Sequence, residues 1–157
     1  MDNPILVKSY VTISTPIWGD DKNINDSFLK LKLILSTEDG GMQIAQNELR
    51  DNSGIGKGAA IYVNLDFANP AITKQSIQQI KLEIRYVKEN YQRDLSMDEW
   101  DARAEAVLEF DDHSILATGY NDPAQHLEFT RTTGLWTPFD VMKSNCFDQP
   151  TLVAPFQ

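Results

Sequence analysis

The sequence predicts an all-β domain: a mainly antiparallel β-sandwich of about seven or eight strands, with at most one short helix near 96–104. Three observations carry this prediction. From Ala59 to Phe67 the positions Ala59, Ile61, Val63, Leu65 and Phe67 are apolar, while Tyr62, Asn64 and Asp66 between them are polar. Successive strand side chains point to opposite faces, so a segment with this period can bury one face and wet the other. The same period recurs along the chain, with Gly, Asn, Asp and Pro between the runs. Helical patterns of the length needed for a parallel α/β architecture do not alternate with these runs.

The first strand is expected over Ile5–Ser14, with Val7, Val11 and Ile13 on one parity and Lys8, Tyr10 and Thr12 on the other. Thr15-Pro16 ends it, and Trp18 to Asp26 reads as a long turn or loop. Leu29, Leu31, Leu33 and Leu35 alternate with Lys30, Lys32 and Ile34, and Glu38-Asp39-Gly40-Gly41 then supplies the chemistry of a tight reversal. Met42 to Leu49 fits either a short strand or a helical stripe, and strand is preferred. A glycine-rich loop, Asp51 to Gly58, leads into the Ala59 strand, which ends at Asn69-Pro70.

Ile80, Leu82, Ile84 and Tyr86 alternate with Lys81, Glu83 and Arg85. A helical stripe through Ile77, Ile80, Ile84 and Val87 competes, and β-branched content favours strand. Ser96 and Glu99 stand at capping-box spacing before Trp100, Ala102 and Ala104, which predicts the short helix. Glu105–Phe110 and Ile115–Tyr120 flank the polar turn 111–114 as a hairpin, Leu127–Arg131 gives another strand, and an irregular tail punctuated by Pro138, Pro150 and Pro155 runs on from Thr137. With no linker and no internal repeat, residues 1–157 read as a single β-sandwich domain.

Composition narrows the function classes. The chain has 14 Lys and Arg against 23 Asp and Glu, a net charge of −9, which disfavours nucleic acid and anionic membranes as partners. The lone Cys146 cannot form an internal disulfide, and the opening Met-Asp-Asn-Pro lacks the basic start of a secretory signal, so a cytoplasmic location is the expectation.

Sites of chemistry are sparse. The Gly54-Ile55-Gly56-Lys57-Gly58 run fails as a phosphate-binding loop, because Asp51 stands at the first glycine position, Gly58 follows the lysine, and a strand comes next. Asp20, Asp21, Asn23 and Asp26 resemble the start of a calcium loop, but Asp26 occupies the glycine position of an EF-hand and Lys32 that of its bidentate glutamate. His113 and His126 lack metal-site spacing, and no Gly-x-Ser-x-Gly elbow occurs. No cofactor, metal or catalytic residue is therefore assigned, and the expectation is a protein that is not an enzyme.

What remains is recognition. The acidic residues Asp94, Asp98, Glu99, Asp101, Glu105, Glu109, Asp111 and Asp112 gather around Trp100, an arrangement suited to docking a basic protein. The favoured expectation is an acidic inhibitor or immunity-type protein. The alternatives are a lectin-like carbohydrate-binding sandwich, using the Trp18 loop and the Gly54 loop with or without calcium, and an assembly subunit that pairs through strand edges. Trp18, Trp100 and Trp136, with Tyr10, Tyr62, Tyr86, Tyr91 and Tyr120, are candidate aromatic platforms for a sugar or a protein; core packing is the default for most of them, while Trp18 and Trp136 are expected in loops, where a ring can be exposed.

Overall fold

In the computed structural model, the structure describes residues 3–15, 27–49, 58, 60–88, 99–119, 125–128, 136–139 and 147–149. Its strands are β1 (Leu6–Ser14), β2 (Ser27–Thr37), β3 (Met42–Leu49), β4 (Ala60–Asn64), β5 (Ile77–Lys88), β6 (Glu99–Phe110), β7 (Ile115–Ala117), β8 (Gln125–Glu128), β9 (Trp136–Phe139) and β10 (Phe147–Gln149). Every pairing is antiparallel. Strands β1 to β7 form a four-stranded sheet, β7-β6-β1-β4, and a three-stranded sheet, β3-β2-β5. The short strands extend them, β10 beside β7, β8 beside β6, and β9 beside β5. This is the mostly antiparallel, sandwich-like all-β class that the alternation predicts.

The core lies between the sheets. From the second sheet it takes Leu29, Leu31, Leu33 and Leu35 of β2 with Ile80, Leu82 and Ile84 of β5; from the first it takes Val11, Ile13, Val63, Leu108 and Phe110. Strict parity explains β5. Ile80, Leu82 and Ile84 are buried while Lys81 is exposed, a period a helix cannot satisfy. In β6 the inward positions are Ala102, Ala104 and Ala106, small residues in the same cluster as the leucines of β2.

The helix expected over 96–104 is corrected for the residues described: Glu99 to Phe110 is one strand, and 96–98 lie outside the described residues. The alanines and the capping-box spacing suggest a helix locally, but Asp101, Arg103 and Glu105 alternate with buried alanines, and burial outweighs a propensity difference of under about 1 kcal/mol per residue. The irregular tail is corrected too. Trp136 opens β9 instead of lying in a loop, and β9 carries Pro138 on the edge of its sheet, where a missing N–H is tolerated.

β1 departs from the expected parity at one point. Its register with β6 shifts between Leu6 and Lys8, so Leu6 packs against the core while Val7, expected inward with Val11, is 63% exposed. An extra residue in one strand re-aims the side chains beyond it. Ser9, Val11 and Ile13 then face the core, and Lys8, Tyr10 and Thr12 face outward.

Tight turns fix the hairpin ends. Gly40 has φ 82°, a left-handed conformation that glycine adopts without steric cost, and Asp39 Oδ1 accepts hydrogen bonds from Thr37 Oγ1 at 2.5 Å and Gly41 N at 2.9 Å. Between β4 and β5, Leu6 N donates to Ile72 O and Lys74 N to Pro4 O, both at 2.8 Å, tying the crossover to the start of β1.

Candidate functional site

Of the acidic residues predicted to bind a partner, Asp94 and Asp98 lie outside the described residues. Glu99 and Trp100 open β6, in register with Glu128 and Leu127 of β8. Asp101, Glu105 and Glu109 occupy the outward parity of β6, interleaved with Arg103 and Val107. Alternate strand residues sit about 6.6 Å apart, so this is a row and not a convergent cluster.

Two further carboxylates serve the fold. Asp111 Oδ1 accepts from Ile5 N at 3.0 Å while Asp111 N donates to Ile5 O at 2.9 Å. Asp112 Oδ1 accepts from Ser114 N at 2.9 Å and Ser114 Oγ at 2.5 Å, bonds that hold its carboxyl below the usual carboxylate range. Glu105 behaves oppositely. Burial pushes its carboxyl up, partly offset by the Gly119 backbone N–H.

The loop candidates Trp18, Asp20, Asp21, Asn23 and Asp26 lie outside the described residues. Trp136 is half-buried beside Lys32, whose Nζ lies 4.1 Å from the ring centroid and 3.1 Å from Glu83 Oε1. That contact fastens β9 to the sheet. Among the described residues, no group of three or more His, Cys, Asp or Glu is placed to hold a metal ion, and no helix is long and apolar enough to cross a membrane.

The feature that best fits a site is on the outward face of the first sheet. Lys8, Tyr10, Tyr62, Asn64 and Glu109 line a recess of about 310 Å³. The strand registers set it out as a grid. Lys8 stands opposite Glu109, Tyr10 lies between Val107 and Asn64, and Thr12 lies between Glu105 and Tyr62. Lys8 shares this face with Tyr10 by strand parity, and the bulge at Val7 turns Leu6 to the core instead of leaving it on the same face.

The two tyrosines differ in role. Tyr10 is 6% exposed and rooted in a small outer-face cluster with Val107, Ile115 and Ala117, so it forms a fixed floor. Tyr62 is 70% exposed and forms a wall. Their rings meet edge to face, with centroids 5.8 Å apart and planes at 79°. Lys8 Nζ lies 5.3 Å from the Tyr10 centroid, and Asn64 O accepts from Asn47 Nδ2 of β3 at 2.7 Å, bracing β4 against the other sheet.

Reading residue types alone treats these tyrosines as core. The signal lies in parity: Tyr62 is the largest residue on the wet side of the Ala59–Phe67 alternation, and Tyr10 shares the outward phase of Lys8 and Thr12. Comparison of the chain with protein-family models, with curated proteins and with solved structures found no match.

Proposed function

We propose that this protein is a non-enzymatic recognition domain whose ligand seats in the recess between Tyr10 and Tyr62. The observation that carries the reading is the tyrosine pair itself, a 70% exposed ring braced edge to face on a 6% exposed one. An aromatic ring left in water on a rigid sheet suits recognition, because it gives contact area at little entropic cost. The recess offers stacking faces and hydrogen-bonding ends.

A ligand screen read by isothermal titration calorimetry, run on the wild type and on Tyr62→Ala, tests this. The reading expects ligands that bind the wild type, lose affinity in the variant and are recovered chemically unchanged. Ligands that bind both proteins equally, or are turned over, contradict it.

A second reading keeps the basic protein partner of an inhibitor or immunity-type protein. It is favoured by the outward row Asp101, Glu105 and Glu109, which borders the recess on β6. Such docking would weaken steeply with salt and would be abolished by Asp101→Lys with Glu105→Lys. Salt-insensitive binding that survives both substitutions would exclude it.

A further inference from the structure

We infer that the recess takes a neutral saccharide, an inference that rests on the recess being the recognition site. Recognising a polyol requires two things together: an aromatic face for the weakly polar C–H side of a sugar ring, and both donors and acceptors within reach of its hydroxyls. The lining supplies both. Tyr62 presents an exposed ring, Asn64 can donate and accept, Glu109 can only accept when ionised, and Lys8 can only donate.

The competing ligand classes meet specific obstacles. A cation seeking the ring faces would find Lys8 Nζ already 5.3 Å from the Tyr10 centroid. An anion would meet Glu109 and a chain carrying net charge −9, so the single lysine gives it little advantage. An extended peptide adding to the edge of β4 would need the Asn64 carbonyl, which accepts from Asn47 Nδ2 at 2.7 Å. Lys8 and Glu109 face each other across the β1–β6 register and cancel in formal charge, leaving a locally neutral, hydroxyl-matching surface.

Size agrees. At about 310 Å³ the recess is at the lower end of the ligand-pocket range, roughly 300–1,000 Å³, with room for about one or two sugar rings. A small ligand held on an open sheet face binds weakly, so a dissociation constant of order millimolar is expected for a single ring.

The test is an amide- and side-chain-resolved titration of the full chain with three arms: neutral mono- and disaccharides, uronic acids with amino sugars, and short uncharged peptides. The inference expects the neutral arm to saturate, with shifts at Tyr62, Asn64 and Lys8. It also expects Tyr62→Ala to weaken that binding by about tenfold or more, the loss of one stacking contact. Tyr62→Phe, which keeps the ring, should retain most of it, and because Tyr62 is 70% exposed both variants should keep the wild-type circular dichroism. If a charged sugar or a peptide shifts Tyr62 and Asn64 while neutral sugars do not, the saccharide class is overturned and the recess stands. If no arm shifts these residues, both fall.

Discussion

Tyr10 and Tyr62 meet edge to face at 5.8 Å across the β1–β4 pairing, one ring buried at 6% exposure and the other open at 70%. The pair divides stability from the proposed recognition. Tyr10→Ala should cost about 3 kcal/mol or more in urea unfolding, in line with emptying a buried aromatic site, whereas Tyr62→Ala should cost under about 1 kcal/mol. A double-mutant cycle should return a coupling of about 0.5–1.5 kcal/mol for the ring pair. A coupling near zero would mean that Tyr62 is not braced by Tyr10.

Val7 controls which face Leu6 joins. Deleting it removes the extra residue between Leu6 and Lys8, which become neighbours of opposite parity and stay opposite Phe110 and Glu109, so the pairing of β1 with β6 continues without a slip, the leucine inside and the lysine outside. The expected change in denaturant unfolding is under about 1 kcal/mol, and a loss of several kcal/mol would contradict the assignment of Val7 as the extra residue. Val7→Thr, which keeps the chain length, should be close to neutral because the side chain is 63% exposed.

Glu105 makes stability fall as pH rises. Its burial raises the folded carboxyl above the ordinary glutamate value, so between the two values the native state holds more protons than the unfolded chain. Stability decreases as pH climbs through that window, and the penalty is complete above it. Glu105→Gln should therefore raise the thermal midpoint near pH 7 and leave it unchanged below about pH 4.

Asp39 and Asp112 act in the opposite sense. Hydrogen bonds from Thr37 and Gly41, and from Ser114, lower their folded values, so each stabilises the fold above the ordinary aspartate value and loses that contribution as pH falls through the lowered one. Asp39→Asn with Asp112→Asn should lower the midpoint at neutral pH. The gap to the wild type should narrow as pH falls below the ordinary aspartate range.

His113 turns the β6–β7 hairpin with φ 69°, a left-handed conformation costing an L-residue about 1–2 kcal/mol. His113→Gly should be neutral or stabilising by up to about 1 kcal/mol, and His113→Val destabilising by about 1–2 kcal/mol. Equal stability of the two variants in denaturant melts would refute the left-handed turn.

Most of the fold was legible because its signal is local. Strict alternation in β2 and β5, the Asp39-Gly40 reversal and the β6–β7 turn each arise from neighbouring residues. Two misreadings have non-local causes. β6 looks helical from its alanines because the leucines that require small partners lie on another strand, and the bulge at Val7 is invisible until β1 is laid against β6. The recess was illegible for the same reason, since Lys8, Tyr62 and Glu109 belong to three strands that only the register brings together. The acidic row was read as one cluster because nearness in sequence does not reveal that Asp111 is bonded to Ile5 and Asp112 to its own turn.

The most direct test of the recess as the recognition site is an amide chemical-shift map of the wild type at saturation with the best ligand from the screen. The account predicts shifts centred on Lys8, Tyr10, Tyr62, Asn64 and Glu109. Shifts centred instead on Lys32, Lys81 and Glu83, on the outward side of the other sheet, would contradict it.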